Sequence, residues 1–115
     1  YIPLSPIRRS SDLGISAATV YRNKDIFHMW FSVRNSIEFR TNPEHAYTIE
    51  HATSKDGYVW SRDTKFGIVQ ELEFESIMCA YPAVIAYKDK LHMFYNGNGF
   101  GETGIAYATM DIEEL

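Results

Sequence analysis

Cysteine is almost absent from this sequence: Cys79 stands alone among 115 residues. No disulfide can form within the chain, and the redox compartment is left open. A positive excess is missing too. Eleven Lys and Arg against fifteen Asp and Glu leave a net charge of −4. The signs are mixed and there is no basic run, which argues against nucleic-acid partners and against anionic membranes. No apolar stretch approaches the ~18 residues of a membrane-spanning helix, and no charged-then-apolar leader is seen. Starting at Tyr1, the chain is expected to begin inside a longer product. Proline is sparse, and no segment keeps a helical period over three turns. What is plentiful is aromatic: Phe, Trp and Tyr make up 15% of the residues. That enrichment favours strands, and it suits surfaces that stack flat ring faces. The length allows one domain at most, burying ~65% of the surface its unfolded form exposes.

Part of the chain occurs twice. Val20 to Ser32 aligns without a gap on Val84 to Asn96, matching His28 to His92 at an offset of 64. Ile49-Glu50-His51-Ala52-Thr53 then aligns on Ile105-Ala106-Tyr107-Ala108-Thr109 at an offset of 56, so the copies differ mainly in one loop. Repeats of this kind are stacked supersecondary units, each burying its faces against a neighbour. The pattern predicts an irregular lead-in over 1–15, a first unit over 16–75 and a second over 76–115. In the first unit, strands are expected over 16–22, 26–33, 47–54 and 58–62, with an outer segment near 66–70. In the second they are expected over 81–87, 90–96 and 104–110. Asn23-Lys24-Asp25, Asp56-Gly57 and Lys88-Asp89 read as turns. Ile26 to Val33 is too continuously apolar to be half exposed, so Trp30, Phe31, Met93 and Phe94 are all expected in the interior.

Four antiparallel strands per unit, repeated at such spacing, fit a propeller blade. The fold class expected is therefore all-β: two four-stranded antiparallel blade-like units, part of a five-bladed β-propeller. Ser54-Lys55-Asp56-Gly57-Tyr58-Val59-Trp60 is close to the Asp-box of sialidase blades, one residue short of that spacing, and reads as structural, with the indole between blades.

His28 to Arg34, Tyr47 to Gly57 and Trp60-Ser61-Arg62 resemble blades of the five-bladed β-propeller glycosidases, glycoside hydrolase families 43, 32, 68 and 130. Met78 to Val84 and Met93 to Ala108 resemble the closing blades of family-43-like proteins. The resemblance implies a carbohydrate-related fold. That family works through three carboxylates, opening the innermost strands of its first blades and supplying an acid in the third, since glycosidic cleavage needs a flanking pair. Here those strands open with Ile15-Ser16-Ala17 and Cys79-Ala80-Tyr81-Pro82 instead. No catalytic residue is therefore assigned, and hydrolysis by this chain alone is not expected. A saccharide-binding module is the preferred reading. A glycoside hydrolase completed by further blades or by oligomerisation, and a structural interaction module, are the alternatives.

Strand order places the loops 34–46 and 97–103 on one rim with the starts of the first strands. Arg34, Tyr81, Asn96, Asn98 and Glu102 are thus the candidate ligand-binding residues, donors and an acid beside an aromatic face. Each has a plainer reading as well. Arg34 can pair with Glu38 or Glu44, Tyr81 can pack between units, and Asn96-Gly97-Asn98-Gly99 is ordinary tight-loop chemistry. His28 and His92 invite a metal, but equivalent positions in separate units face separate spaces, so no metal and no cofactor is assigned. His51 reads as an interior histidine whose tautomer one partner sets. Cys79 reads as a small buried residue. Two units leave flat outer faces open at both ends, so a homo-oligomer, most simply a dimer, is expected.

Overall fold

The computed structural model describes residues 13–35, 38, 42, 44, 46–63 and 65–115. Of the expected lead-in, residues 1–12 lie outside that set, and 13–15 open the first strand rather than an irregular segment. The described chain forms two antiparallel sheets. Strands β1 (Leu13–Asn23), β2 (Ile26–Asn35), β3 (Thr48–Ser54) and β4 (Ser61–Asp63) lie in that order in the first. Strands β5 (Ala80–Tyr87), β6 (Lys90–Asn96) and β7 (Ile105–Asp111) make the second. The chain is all-β as expected, with three short helical turns at Glu73–Glu75, Asn98–Gly101 and Ile112–Glu114.

The expectation of four strands in each unit is corrected for the second, which has three among the described residues. After β7 the chain curls into the turn Ile112–Glu114, where the Ile112 N–H donates to the Asp89 carbonyl at 2.9 Å. A second correction concerns Tyr58 and Val59, expected to begin the fourth strand. Both amides donate instead to the Asp56 carboxylate, at 2.8 and 2.9 Å, and amides so engaged cannot join a ladder. The same turn is closed by Ser54 Oγ, which accepts from the Gly57 amide at 2.8 Å. The Trp60 indole donates to the Gly57 carbonyl at 3.1 Å. This segment is self-satisfied structure. Its indole packs on the far side of the first sheet, against Met29, Phe31 and Ala52, rather than between the two sheets.

The repeat holds in register. Tyr21 lies opposite His28 and Ile85 opposite His92; Thr19 lies opposite Trp30 and Ala83 opposite Phe94. On the next strand His51 faces Trp30, and Tyr107 faces Phe94, so both offsets survive as pairings. Both hairpins also break register at one place. Ala17-Ala18 bulge between the pairs Ser16–Ser32 and Thr19–Trp30, and Tyr81-Pro82 between Ala80–Asn96 and Ala83–Phe94. The first residue of each bulge is left-handed, with φ 48° at Ala17 and 58° at Tyr81.

One core joins the sheets: Trp30 and Ile49 from the first, Leu91, Met93, Tyr95 and Ala106 from the second, with Cys79 between them. The Trp30 indole N–H is satisfied by the Phe66 carbonyl at 2.9 Å. Strand β2 is covered on both faces, as its unbroken apolar run predicts. Strand β6 is not. Its buried residues alternate with open ones, and Phe94 is 45% exposed, against the expectation of burial. The reason is parity: Leu91, Met93 and Tyr95 face the first sheet, so Phe94 points to the other side beside Tyr107.

Candidate binding rim

On β2 the residues His28, Trp30, Ser32 and Arg34 share one face, the face that meets the second sheet. The first three are buried; Arg34, at the strand end, emerges half-buried. Gly14 lies opposite it, and a Cβ there would come within 3.1 Å of the guanidinium carbon, so the glycine makes room for the side chain. The guanidinium donates from Nε to the Tyr47 hydroxyl at 3.1 Å and from Nη1 to the Asn35 carbonyl at 3.0 Å. It lies 5.8 Å from the centre of the Tyr47 ring.

Tyr47 is one of three rings in mutual contact. Its centroid is 5.8 Å from that of Tyr81 and 5.5 Å from that of Phe100. Tyr81 and Phe100 stack at 5.7 Å with planes 28° apart. Tyr47 is buried, while Tyr81 and Phe100 are 40% and 41% exposed, so the stacked pair faces water over a covered base. Tyr81 is aimed by its bulge, whose amide donates to Ser32 Oγ at 2.8 Å. Phe100 is aimed by a turn in which Gly99 and Phe100 both adopt left-handed backbone, φ 63° and 56°. For a bulky residue that conformation costs of order ~1–3 kcal/mol and persists only where neighbours enforce it.

The enforcing neighbour is Asn98. Its Oδ1 accepts from the Ile77 and Met78 amides at 2.8 and 3.0 Å, and its Nδ2 donates to the Glu73 carbonyl and Ser76 Oγ at 3.0 and 3.3 Å. All four bonding positions of that amide are thus spent inside the chain, which makes Asn98 a brace rather than a ligand donor. Gly97 permits the docking, because a Cβ there would stand 2.3 Å from the Phe74 carbonyl oxygen. Asn96 lies under the same turn: a Cβ at Gly101 would come within 3.1 Å of its amide oxygen. Glu102 is exposed and folds back over Gly99. The structure therefore groups Arg34, Tyr81, Asn96 and Glu102 around the turn that Asn98 holds. Sequence reasoning passed over Tyr47 and Phe100. The available signal for Phe100 was its position between two glycines, which presents a ring on a turn.

The interior histidines lie elsewhere. His51 Nδ1 sits 2.8 Å from Asp63 Oδ2, and a carboxylate only accepts, so this nitrogen carries the proton. His51 Nε2 then accepts from His28 Nδ1 at 3.1 Å. Burial first, and the neighbouring His51 second, hold the His28 imidazole below its ordinary value. His92, the repeat partner of His28, lies on the opposite face of the second sheet against the Tyr107 hydroxyl at 2.7 Å. Cys79 is buried, and burial pushes its thiol up to about 11, which leaves it inert as a nucleophile. Glu75 is a buried carboxylate that accepts from the Tyr95 hydroxyl at 2.7 Å and from two backbone amides, a turn-closing role. The roomiest cleft, about 530 Å³, lies at the hairpin-turn end, bounded by Asn23, Lys24, Asp89, Asp111 and Glu113; it has no aromatic wall.

No protein-family profile matches the chain. It is 33% identical over 94 residues to uncharacterized proteins of two strains of Mycobacterium tuberculosis. The alignment covers 80% of this chain and 28% of theirs, so the chain spans little more than a quarter of the length of these curated relatives. Among solved structures it superposes on a glycoside hydrolase with a TM-score of 0.67 at 18% identity, over 93% of this chain and 30% of that one. A complex of BT0996 with RGII gives 0.67 at 18% identity, over 95% of this chain and 31% of that one. Zg3597, a family 117 glycoside hydrolase of Zobellia galactanivorans, gives 0.63 at 13% identity, over 85% and 34% of the two chains. At these identities the likeness is one of fold.

Proposed function

We propose that the two sheets are successive blades of a β-propeller related to the glycoside hydrolases it resembles, and that their shared rim binds a saccharide. One observation carries the reading: Tyr81 and Phe100, both left-handed, stack 5.7 Å apart and face water beside the half-buried Arg34. A pyranose offers an apolar C–H face for such a platform and a fringe of hydroxyls for neighbouring polar groups. Arg34, Asn96 and Glu102 supply that fringe. Held rings lose little freedom on binding, which favours affinity. Hydrolysis is no part of the proposal, because among the described residues around the turn Glu102 supplies one carboxylate where cleavage needs a pair.

The test is titration with neutral and acidic mono- and oligosaccharides, followed by amide and ring NMR shifts. Binding should be weak, with a dissociation constant of ~0.1–1 mM, about −4 to −5.5 kcal/mol. Shifts should centre on Tyr47, Tyr81 and Phe100. Tyr81→Ala and Phe100→Ala should each abolish them while leaving the rest of the spectrum in place. Shifts elsewhere, or none with any sugar, would overturn the reading.

A further inference from the structure

The far face of the second sheet carries Ile85, Tyr87, Phe94, Ile105 and Tyr107, which are 59%, 60%, 45%, 75% and 55% exposed. Their repeat counterparts tell what such a face is for. Phe94, Ile105 and Tyr107 stand where the first sheet has Trp30, Ile49 and His51, which are 2%, 1% and 0% exposed because the second sheet covers them. The same positions on one sheet are interior and on the other are open. We infer that this face is an interface between two copies of the chain, joined about a two-fold axis in the place a third sheet would take.

Three observations select that occupant and that symmetry. The opposite end of the stack is closed: Met29, Phe31, Val33 and Ala52, on the outer side of the first sheet, are 4%, 0%, 4% and 0% exposed. Head-to-tail stacking would need both ends open, so a like-on-like contact is the arrangement left. The three strands carry two charged side chains, Lys90 and Asp111, and these bond to each other at 2.6 Å. Two copies therefore meet without net repulsion across the face. The area is sufficient. At the exposures above, and at ~150–250 Å² per aromatic side chain, the patch offers roughly 500 Å² per copy, so a pair buries about 1,000 Å², the lower bound for a specific interface. That bound sets the expected strength, a dissociation constant of ~10 µM rather than nanomolar.

This inference stands apart from the sugar reading, since the face lies on a different surface from the rim. The experiment is sedimentation equilibrium of the 115-residue chain from low micromolar to several hundred micromolar. The expected result is a reversible rise from 13.3 kDa to twice that mass and no further. Phe94→Lys should hold the chain at monomer mass. Ile105→Lys, at the most exposed position of the patch, serves if the first variant folds poorly, with circular dichroism reporting the fold of each. A monomer throughout the range would overturn the inference and assign the face to a further sheet of a longer polypeptide. A dimer indifferent to both substitutions would overturn it by placing the contact elsewhere, and growth beyond two would overturn the symmetry.

Discussion

His28 and His51 show how equivalent residues acquire different chemistry. His28 shares its strand position with His92, yet it is buried at the seam between the sheets, while His92 borders the open face. The pairing His28–His51–Asp63 suits neutral imidazoles: a proton added to His51 Nε2 would face the donor on His28 rather than an acceptor. Because the folded His28 titrates below its ordinary value, the unfolded chain takes up that proton first. Stability should therefore hold above about pH 6.5, the unperturbed histidine value, and fall as pH drops through it. Urea midpoints at pH 8 and pH 5 measure this, and the midpoint should be lower at pH 5. His28→Asn should shrink the difference between them, whereas an unchanged difference would place the sensitive group elsewhere. The strand pairings of these residues were legible in the sequence, because the apolar pattern around them occurs twice. Their surroundings were not, since a strand does not record what will cover it. Phe94 was misjudged for that same reason.

At the scale of elements, the turn 97–101 is where the sequence read two ways. Asn-Gly-Asn-Gly serves tight loops and ligand contacts alike, and only coordinates divide the two asparagines. Asn98 ties the turn to the segment 73–78 through four bonds, while the Asn96 amide oxygen sits beneath Gly101. Asn98→Ala leaves the Ile77 and Met78 amides without their acceptor, at a cost of about 1–3 kcal/mol. The same change should release Phe100 from its left-handed backbone and unstack it from Tyr81. Guanidinium denaturation measures the first effect, and nuclear Overhauser contacts between the two rings measure the second. Rings still stacked in the variant would show that packing on Tyr47 suffices to hold Phe100. The rim itself could be drawn from strand order, which brought Arg34 and Tyr81 together with this turn. Phe100 could not, because its importance rests on a backbone angle that the residues around it impose.

At the scale of the molecule, two sheets share one core, and the connection between them is a surface strap. Trp30 and Ile49 on one side meet Leu91, Met93 and Tyr95 on the other. Across the seam the Val84 amide donates to Thr19 Oγ1 at 3.2 Å, and the Cys79 amide to the Tyr47 carbonyl at 3.0 Å. Between Phe66 and Phe74, both packed on this core, the strap exposes Val69 and Leu72, at 71% and 56%. Continuity of the backbone is thus dispensable once folding is complete. A protease site built between Val69 and Leu72 should be cut readily, and the nicked protein should still elute as one particle and melt in one transition. Fragments that part on cutting would refute the shared core. If they stay together, separately produced halves should find one another and refold, so that the break becomes a conditional switch: each half silent alone, and the binding rim restored only where both are present.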